Sequence, residues 1–368
     1  MVVQVMLRRI SVGLVLLLTG AASHAATATF EIRPGGCANE KAYAEEVGTK
    51  LKDPILKVFH RVLMDNELNA GCGALQLTDA QMASNENGFS FGLSQFDLAT
   101  RPGPSMKALL QVISCAEAEL GSPLLTSDDL IFLKKYGKQP AAQLKTKPAV
   151  WGRFAVLRDP IERALGTTCG RDLLAVEYEK ELKSFLPSVN KLVSTSLARN
   201  AGLAPAKDFL RLYALDLKNV LGGVENFQAY LAGARPAPCN GPCKSGLVLP
   251  FTVKDQLGLT DVIRYVLMAT CYGYVPETTR RFDAIRRLDR VLAEIDIETL
   301  PLSDRDKIFL AIDLGDMLAT TKAAKTNASF AHLEKLVRRA SPNGSLPGTA
   351  TSMTKKKLQD TQKACTKT

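Results

Sequence analysis

Apolar residues recur along most of this chain at three- and four-residue spacings, the period of a helix with one buried face. The clearest instance follows Pro54, where Ile55, Leu56, Phe59, Val62 and Leu63 form one stripe and the proline takes the first helical turn. Glu67 sits four positions after Leu63 and eight after Phe59, which puts it on or beside that apolar face at the helix end. Burial disfavours a charged carboxylate, so Glu67 is a candidate for a raised pKa. The alternative is a helix that ends at Met64 and leaves Asp65, Asn66 and Glu67 as a solvated terminus.

Helical patterning continues downstream. Met106, Leu109, Leu110 and Ile113 share a face; Ser127 opens a short helix through Leu133 that closes near Gly137. Asp159, Pro160 and Glu162 stand in register as N-cap, first-turn proline and N3 carboxylate, so a helix is predicted to begin there. Another runs from Arg171 towards Leu186, where Pro187 interrupts or kinks it. Phe209, Leu210, Tyr213, Leu217 and Val220 mark a core helix closed by Gly222 and Gly223, and residues 260–268 read as helical. Phe282, Ile285, Leu288, Leu292 and Ile295 define one whose remaining surface carries Arg280, Arg286, Arg287 and Arg290, either a solvated, salt-bridged face or a dock for an anionic polymer. Ser303 and Asp306 cap a helix through Leu318, and a last one follows Ser329.

One stretch breaks this period. From Asn87 to Asp97 the pattern alternates, with Phe89, Phe91 and Leu93 on one side and Ser90, Gly92 and Ser94 on the other. Gly88 and Gly92 permit tight backbone paths, so the stretch reads as a surface hairpin with one bare face.

Arg8 and Arg9, the apolar run Ile10 to Leu18 and the small residues before Ala26 form a secretory signal peptide, with cleavage expected before Ala26. The arginine pair raises a twin-arginine route, which the following Ile-Ser-Val fits only loosely, so general secretion is the expectation. No later stretch reaches the ~20 apolar residues of a spanning helix, so no stable membrane insertion is expected. All eight cysteines follow the signal, and an even count in an oxidising compartment points to as many as four disulfides of undetermined pairing. With three histidines and no second close cysteine pair beside Cys239 and Cys243, no metal site and no cofactor are called for. A formal net charge of +10 favours anionic polymers, and export makes nucleic acid an improbable partner.

The order of helix, terminal glutamate, glycine-rich hairpin, glutamine and aspartate resembles the lysozyme-like superfamily of goose-type lysozymes, lytic transglycosylases and effector muramidases. The likeness covers residues 55–110. It implies that Glu67 is a general acid, that Glu86, directly before Asn87-Gly88, is the second carboxylate, and that Ser90, Gln95 and Asp97 hydrogen-bond substrate or hold the hairpin. One protonated and one ionised carboxyl suit glycoside cleavage, because the leaving oxygen needs a proton and the other face of the sugar needs a base or negative charge. Phe89 and Phe91 are expected to pack the hairpin. Glu45 and Glu46, before Val47-Gly48, form a rival pair that reads more simply as helix-surface charge.

The expected fold is thus mainly α: a lysozyme-like α+β domain over 26–235 with a small β-hairpin, a Pro/Gly/Cys linker over 236–250, an additional helical C-terminal lobe over 251–345 and a basic disordered tail over 346–368. The expected function is a secreted or periplasmic glycan-cleaving enzyme acting on peptidoglycan or another anionic or amino-sugar glycan. A non-catalytic glycan-binding or partner-binding scaffold is the alternative. A serine or cysteine hydrolase is disfavoured, since no Gly-x-Ser-x-Gly occurs and paired cysteines are not nucleophiles.

Overall fold

The computed structural model describes residues 30–68, 71–79, 87–233, 257–265, 278–315, 317–319 and 329–341. The signal segment, Glu86, the linker, the basic tail and Cys239, Cys243, Cys271 and Cys365 lie outside the described residues. In chain order the elements are α1 (Cys37–Lys50), α2 (Pro54–Glu67), β1 (Thr78–Asp79), β2 (Phe89–Phe91), β3 (Phe96–Asp97), α3 (Pro102–Leu120), α4 (Ser127–Tyr136), α5 (Ala141–Lys145), α6 (Pro148–Gly166) and α7 (Thr168–Arg199). They continue with α8 (Lys207–Leu221), α9 (Glu225–Leu231), α10 (Leu259–Arg264), α11 (Thr278–Ala293), α12 (Asp304–Ile308) and α13 (Ala331–Ala340). The fold is mainly α with one small antiparallel sheet of order β1-β2-β3. It divides into two compact units, residues 1–52 with 67–182, and 53–66 with 183–368. The domain expected over 26–235 therefore draws on both units.

The first unit is organised around aromatic rings. Phe89 of β2 lies 4.7 Å from Phe30, 4.6 Å from Phe154 and 5.6 Å from Trp151, ring centre to ring centre, and Phe132 of α4 joins at 5.0 Å from Phe154. Phe89 and Phe154 are fully buried, each worth about 1.5–3 kcal/mol of hydrophobic transfer. Two disulfides, Cys37–Cys72 and Cys115–Cys169, close loops of sequence separation 35 and 54. They tie the segment before the sheet to the first turn of α1, and α3 to the start of α7.

Helix ends follow local chemistry, with instructive exceptions. α4 is capped one residue earlier than the sequence suggests: Thr126 Oγ1 accepts from the Asp129 amide while the Asp129 carboxylate accepts from the Thr126 amide. The Thr126 hydroxyl, and after it Arg153, hold the Asp129 carboxyl below its ordinary pKa. The helix expected to begin at Asp159 instead begins at Pro148 and carries Pro160 in its interior. Pro160 removes the amide that would meet the Val156 carbonyl. Val156 is 74 % exposed, so the interrupted bond lies on the solvent side of the helix. Likewise α7 continues through Pro187, which is exposed along with Lys183 one turn before it.

The second unit relies on buried ion pairs. Asp216 of α8, 2 % exposed, accepts from Arg287 of α11 at 2.9 Å, and Arg287 also donates to Asp283 at 3.0 Å. Asn66, near the end of α2, donates to Asp216, and its carbonyl accepts from Arg286 at 3.0 Å. Arg290 pairs with Asp65 at 3.0 Å. The expected salt bridges to Asp283 form from Arg286 and Arg287, but Arg287 is buried on Asp216 and Arg290 pairs with Asp65, so this face is engaged within its own unit and is not simply solvated. Asp289 accepts from the amides of His332 and Leu333 and so caps α13 from the side of α11. The Ser303–Asp306 cap forms as the sequence suggests, and Asp306 also takes bonds from the amide and hydroxyl of Thr260.

Candidate active site around the Asn87–Asp97 hairpin

α2 does not fray at Met64 but runs through Glu67, its half-buried last residue. Beyond it the chain is fixed from α1. Cys72 is bonded to Cys37, and buried Glu40 accepts from the Gly73 amide and from Gln76 Nε2. Gln76 receives the Arg33 amide at 2.7 Å and returns a bond to the Arg33 carbonyl at 3.0 Å. Arg158, 4 % exposed, gives Nε to Glu162 at 2.6 Å and Nη2 to the Glu31 carbonyl at 2.8 Å. Glu162 accepts in turn from the Leu77 amide at the doorway to β1. The path from Glu67 into the sheet is thus held by side-chain bonds and a disulfide. Glu45 and Glu46, the rival pair, are exposed, and Glu46 pairs with Lys50 one turn on.

The hairpin brings Ser90, Gln95 and Asp97 into one sheet, with Thr78 opposite Ser90 and Ser90 opposite Asp97. Each has an internal task. Asp97 accepts from the amides of Gly88 at 3.0 Å, Ala99 at 2.7 Å and Thr100 at 2.8 Å, which closes the hairpin base. Gly88 is demanded there because a Cβ would lie 2.7 Å from that of Ala99. Gln95 is the one non-glycine residue of positive φ among the described residues, at 49°. Its amide and Nε2 both donate to the Gly92 carbonyl, and its Oε1 accepts from Thr78 at 3.3 Å. These bonds offset a conformation that costs roughly 1–2 kcal/mol for a residue with a Cβ. Ser90 is buried at 2 % exposure, and its carbonyl faces the Thr78 hydroxyl.

The hairpin is buried on both sides, where the alternation suggested one bare face. Gly92 sits at φ 76°, which disfavours a side chain, and a Cβ there would press on Phe96 at 3.1 Å and touch Leu174 of α7 at 3.4 Å. The small residues make room for a helix. Two turns further along α7, buried Glu181 pairs with Arg101, the residue before α3. Burial raises the Glu181 pKa, and the Ser94 hydroxyl and the Arg101 guanidinium only partly oppose it. A buried carboxyl with a raised pKa therefore stands beside Ser94 of the hairpin turn.

Glu181 was not singled out by the motif, yet a signal exists. It shares the stripe of Leu174, Tyr178 and Phe185, and a charge on the apolar face of a helix needs a partner. Glu40 and Gln76 carry no such sign, because they act through residues far away in sequence, and Arg158 joins the distant Glu31 carbonyl to its near neighbour Glu162. Among the described residues no three His, Cys, Asp or Glu side chains converge to hold a metal ion, and no helix is long and apolar enough to cross a membrane. No protein family, no curated protein and no solved structure matches this chain.

Proposed function

We propose that this protein is an exported glycan-cleaving enzyme of muramidase or lytic transglycosylase type, built on a lysozyme-like arrangement and acting on peptidoglycan or a related amino-sugar polymer. The observation that carries the reading is the half-buried Glu67 as the last residue of α2, with the stapled segment 71–79 after it in sequence contributing the first strand of a three-stranded antiparallel sheet. In this reading Glu67 is the general acid that protonates the leaving glycosidic oxygen, and Glu86, next to the hairpin, is the ionised carboxylate that activates water or balances charge on the sugar. Export agrees with the two disulfides, which belong to oxidising compartments.

A second reading has its own support. Ser90, Gln95 and Asp97 engage the backbone and side chains of their own hairpin, as a non-catalytic envelope scaffold for glycan or partner binding would also require. Incubation of purified peptidoglycan with wild type, Glu67→Gln and Glu86→Gln separates the two. The enzyme reading expects soluble sugar fragments from wild type and a loss of about 10²-fold or more in Glu67→Gln. Pelleting with the wall and release of no fragments by wild type, unchanged in both variants, would establish the scaffold instead.

A further inference from the structure

The second unit contains a cleft of about 460 Å³, within the ~300–1,000 Å³ range of small-ligand sites. Its apolar lining includes Ile55 and Val58 from α2, Phe209 and Leu212 from α8, and Ile295 and Leu300 beyond α11. Four charged residues also line it: Asp208, Arg211, Glu294 and Asp296. Two of these are engaged. Glu294 takes two bonds from Arg61, and Asp296 accepts the Glu298 amide at the start of a short 3-10 turn.

Asp208 and Arg211 differ. They stand one turn apart on α8, the spacing at which opposite charges on a helix pair. Yet among the described residues neither has a hydrogen bond or ion pair, and Arg211 Nε is shielded from water with no partner. Asp208 suits the first turn of its helix, where a negative charge meets the helix dipole. Nothing of that kind accounts for Arg211, which is half-buried at the cleft wall.

We propose that this cleft binds a short zwitterionic peptide with apolar side chains, its carboxylate on Arg211, its ammonium on Asp208 and its side chains on the Ile55, Phe209 and Leu212 floor. An unpaired guanidinium is the group best shaped for a carboxylate, since its fork donates two parallel bonds. An unpaired carboxylate one turn away suits an amine, and the apolar lining between the other groups suits aliphatic side chains. Neither Glu67 nor any hairpin residue lines this cleft, so the proposal does not rest on the glycan reading.

Calorimetric titration of the full chain with the dipeptide Leu-Leu tests it, beside N-acetyl-Leu-Leu, Leu-Leu-amide and inorganic phosphate. Saturable one-to-one binding of Leu-Leu is expected, weakened at least about tenfold in Arg211→Gln and by amidation of the ligand. Asp208→Asn and N-acetylation should each weaken it as well. Should Arg211→Gln fail to fold, the blocked ligands on wild type still decide the matter. No heat from Leu-Leu up to ~10 mM, equal binding of Leu-Leu and its amide, or phosphate binding as tight as the dipeptide would overturn the proposal.

Discussion

Both units pack aromatic rings and bury ion pairs, as Phe209, Tyr213, Phe227 and Tyr265 do in the second and Arg158 with Glu162 in the first, but among the described residues they differ in emphasis. The first uses covalent bonds and aromatic packing: two disulfides, the ring cluster about Phe89, and a sheet small enough to be enclosed by helices. The described part of the second leans on charge, with buried Asp216 and Arg287 joined to half-buried Asp283 and Arg286, and with Asp289 and Asp306 serving as caps. Burying charge is costly unless every partner is in place, whereas a disulfide acts by restricting the unfolded chain. The units should therefore fail under different stresses.

The largest expected effect lies in the charged unit. Asp216→Ala leaves Arg287 short of a buried partner and should destabilise by about 3–5 kcal/mol. Hydrogen exchange should show the loss in peptides from α8, α11 and α13, while α3 and α6 keep their protection; equal loss in both units would break the contrast. Removal of a disulfide comes next. Cys115→Ser with Cys169→Ser should cost about 2–4 kcal/mol by urea unfolding, read in the first unit alone. Thr126→Ala removes a real cap and should cost about 1 kcal/mol, with early fraying of α4.

The smallest effect concerns pH. Glu181 binds its proton more readily folded than unfolded, so between the ordinary carboxylate pKa and its raised folded value the native state holds more protons. Stability of the first unit should rise as pH falls from neutral through that window, and decline as pH climbs. Glu181→Gln should flatten this slope in thermal melts across pH 4–7, and an unchanged slope would assign it to another group.

Much of this architecture is legible in the sequence because helix periodicity is a local property. α2 with its terminal Glu67, the Gly222 end of α8 and the Ser303–Asp306 cap all follow from residues within a few positions of one another. Pro160 shows the limit. Asp-Pro-x-Glu has the grammar of a helix start, yet here the same residues lie in a helix interior, with Val156 one turn earlier exposed. The hairpin shows another limit. Its alternation is visible, but the helix that covers its small residues arrives at Leu174 and Glu181, some 80 positions later in sequence. The arginines of α11 look like a surface stripe until Asp216 and Asp65 are brought to meet them.

The proposed function divides the labour: Ser90, Gln95 and Asp97 hold the hairpin, while Glu67 at the preceding helix end acts as the acid with Glu86 as the second carboxylate. Glu67→Gln and Asp97→Asn, assayed together for fragment release from peptidoglycan and for thermal stability, test it most directly. The expected result is a stable, inactive Glu67→Gln protein and an Asp97→Asn protein weakened by about 1–3 kcal/mol that still cleaves when folded. A fully active Glu67→Gln protein, or an Asp97→Asn protein of unchanged stability that no longer cleaves, would contradict it.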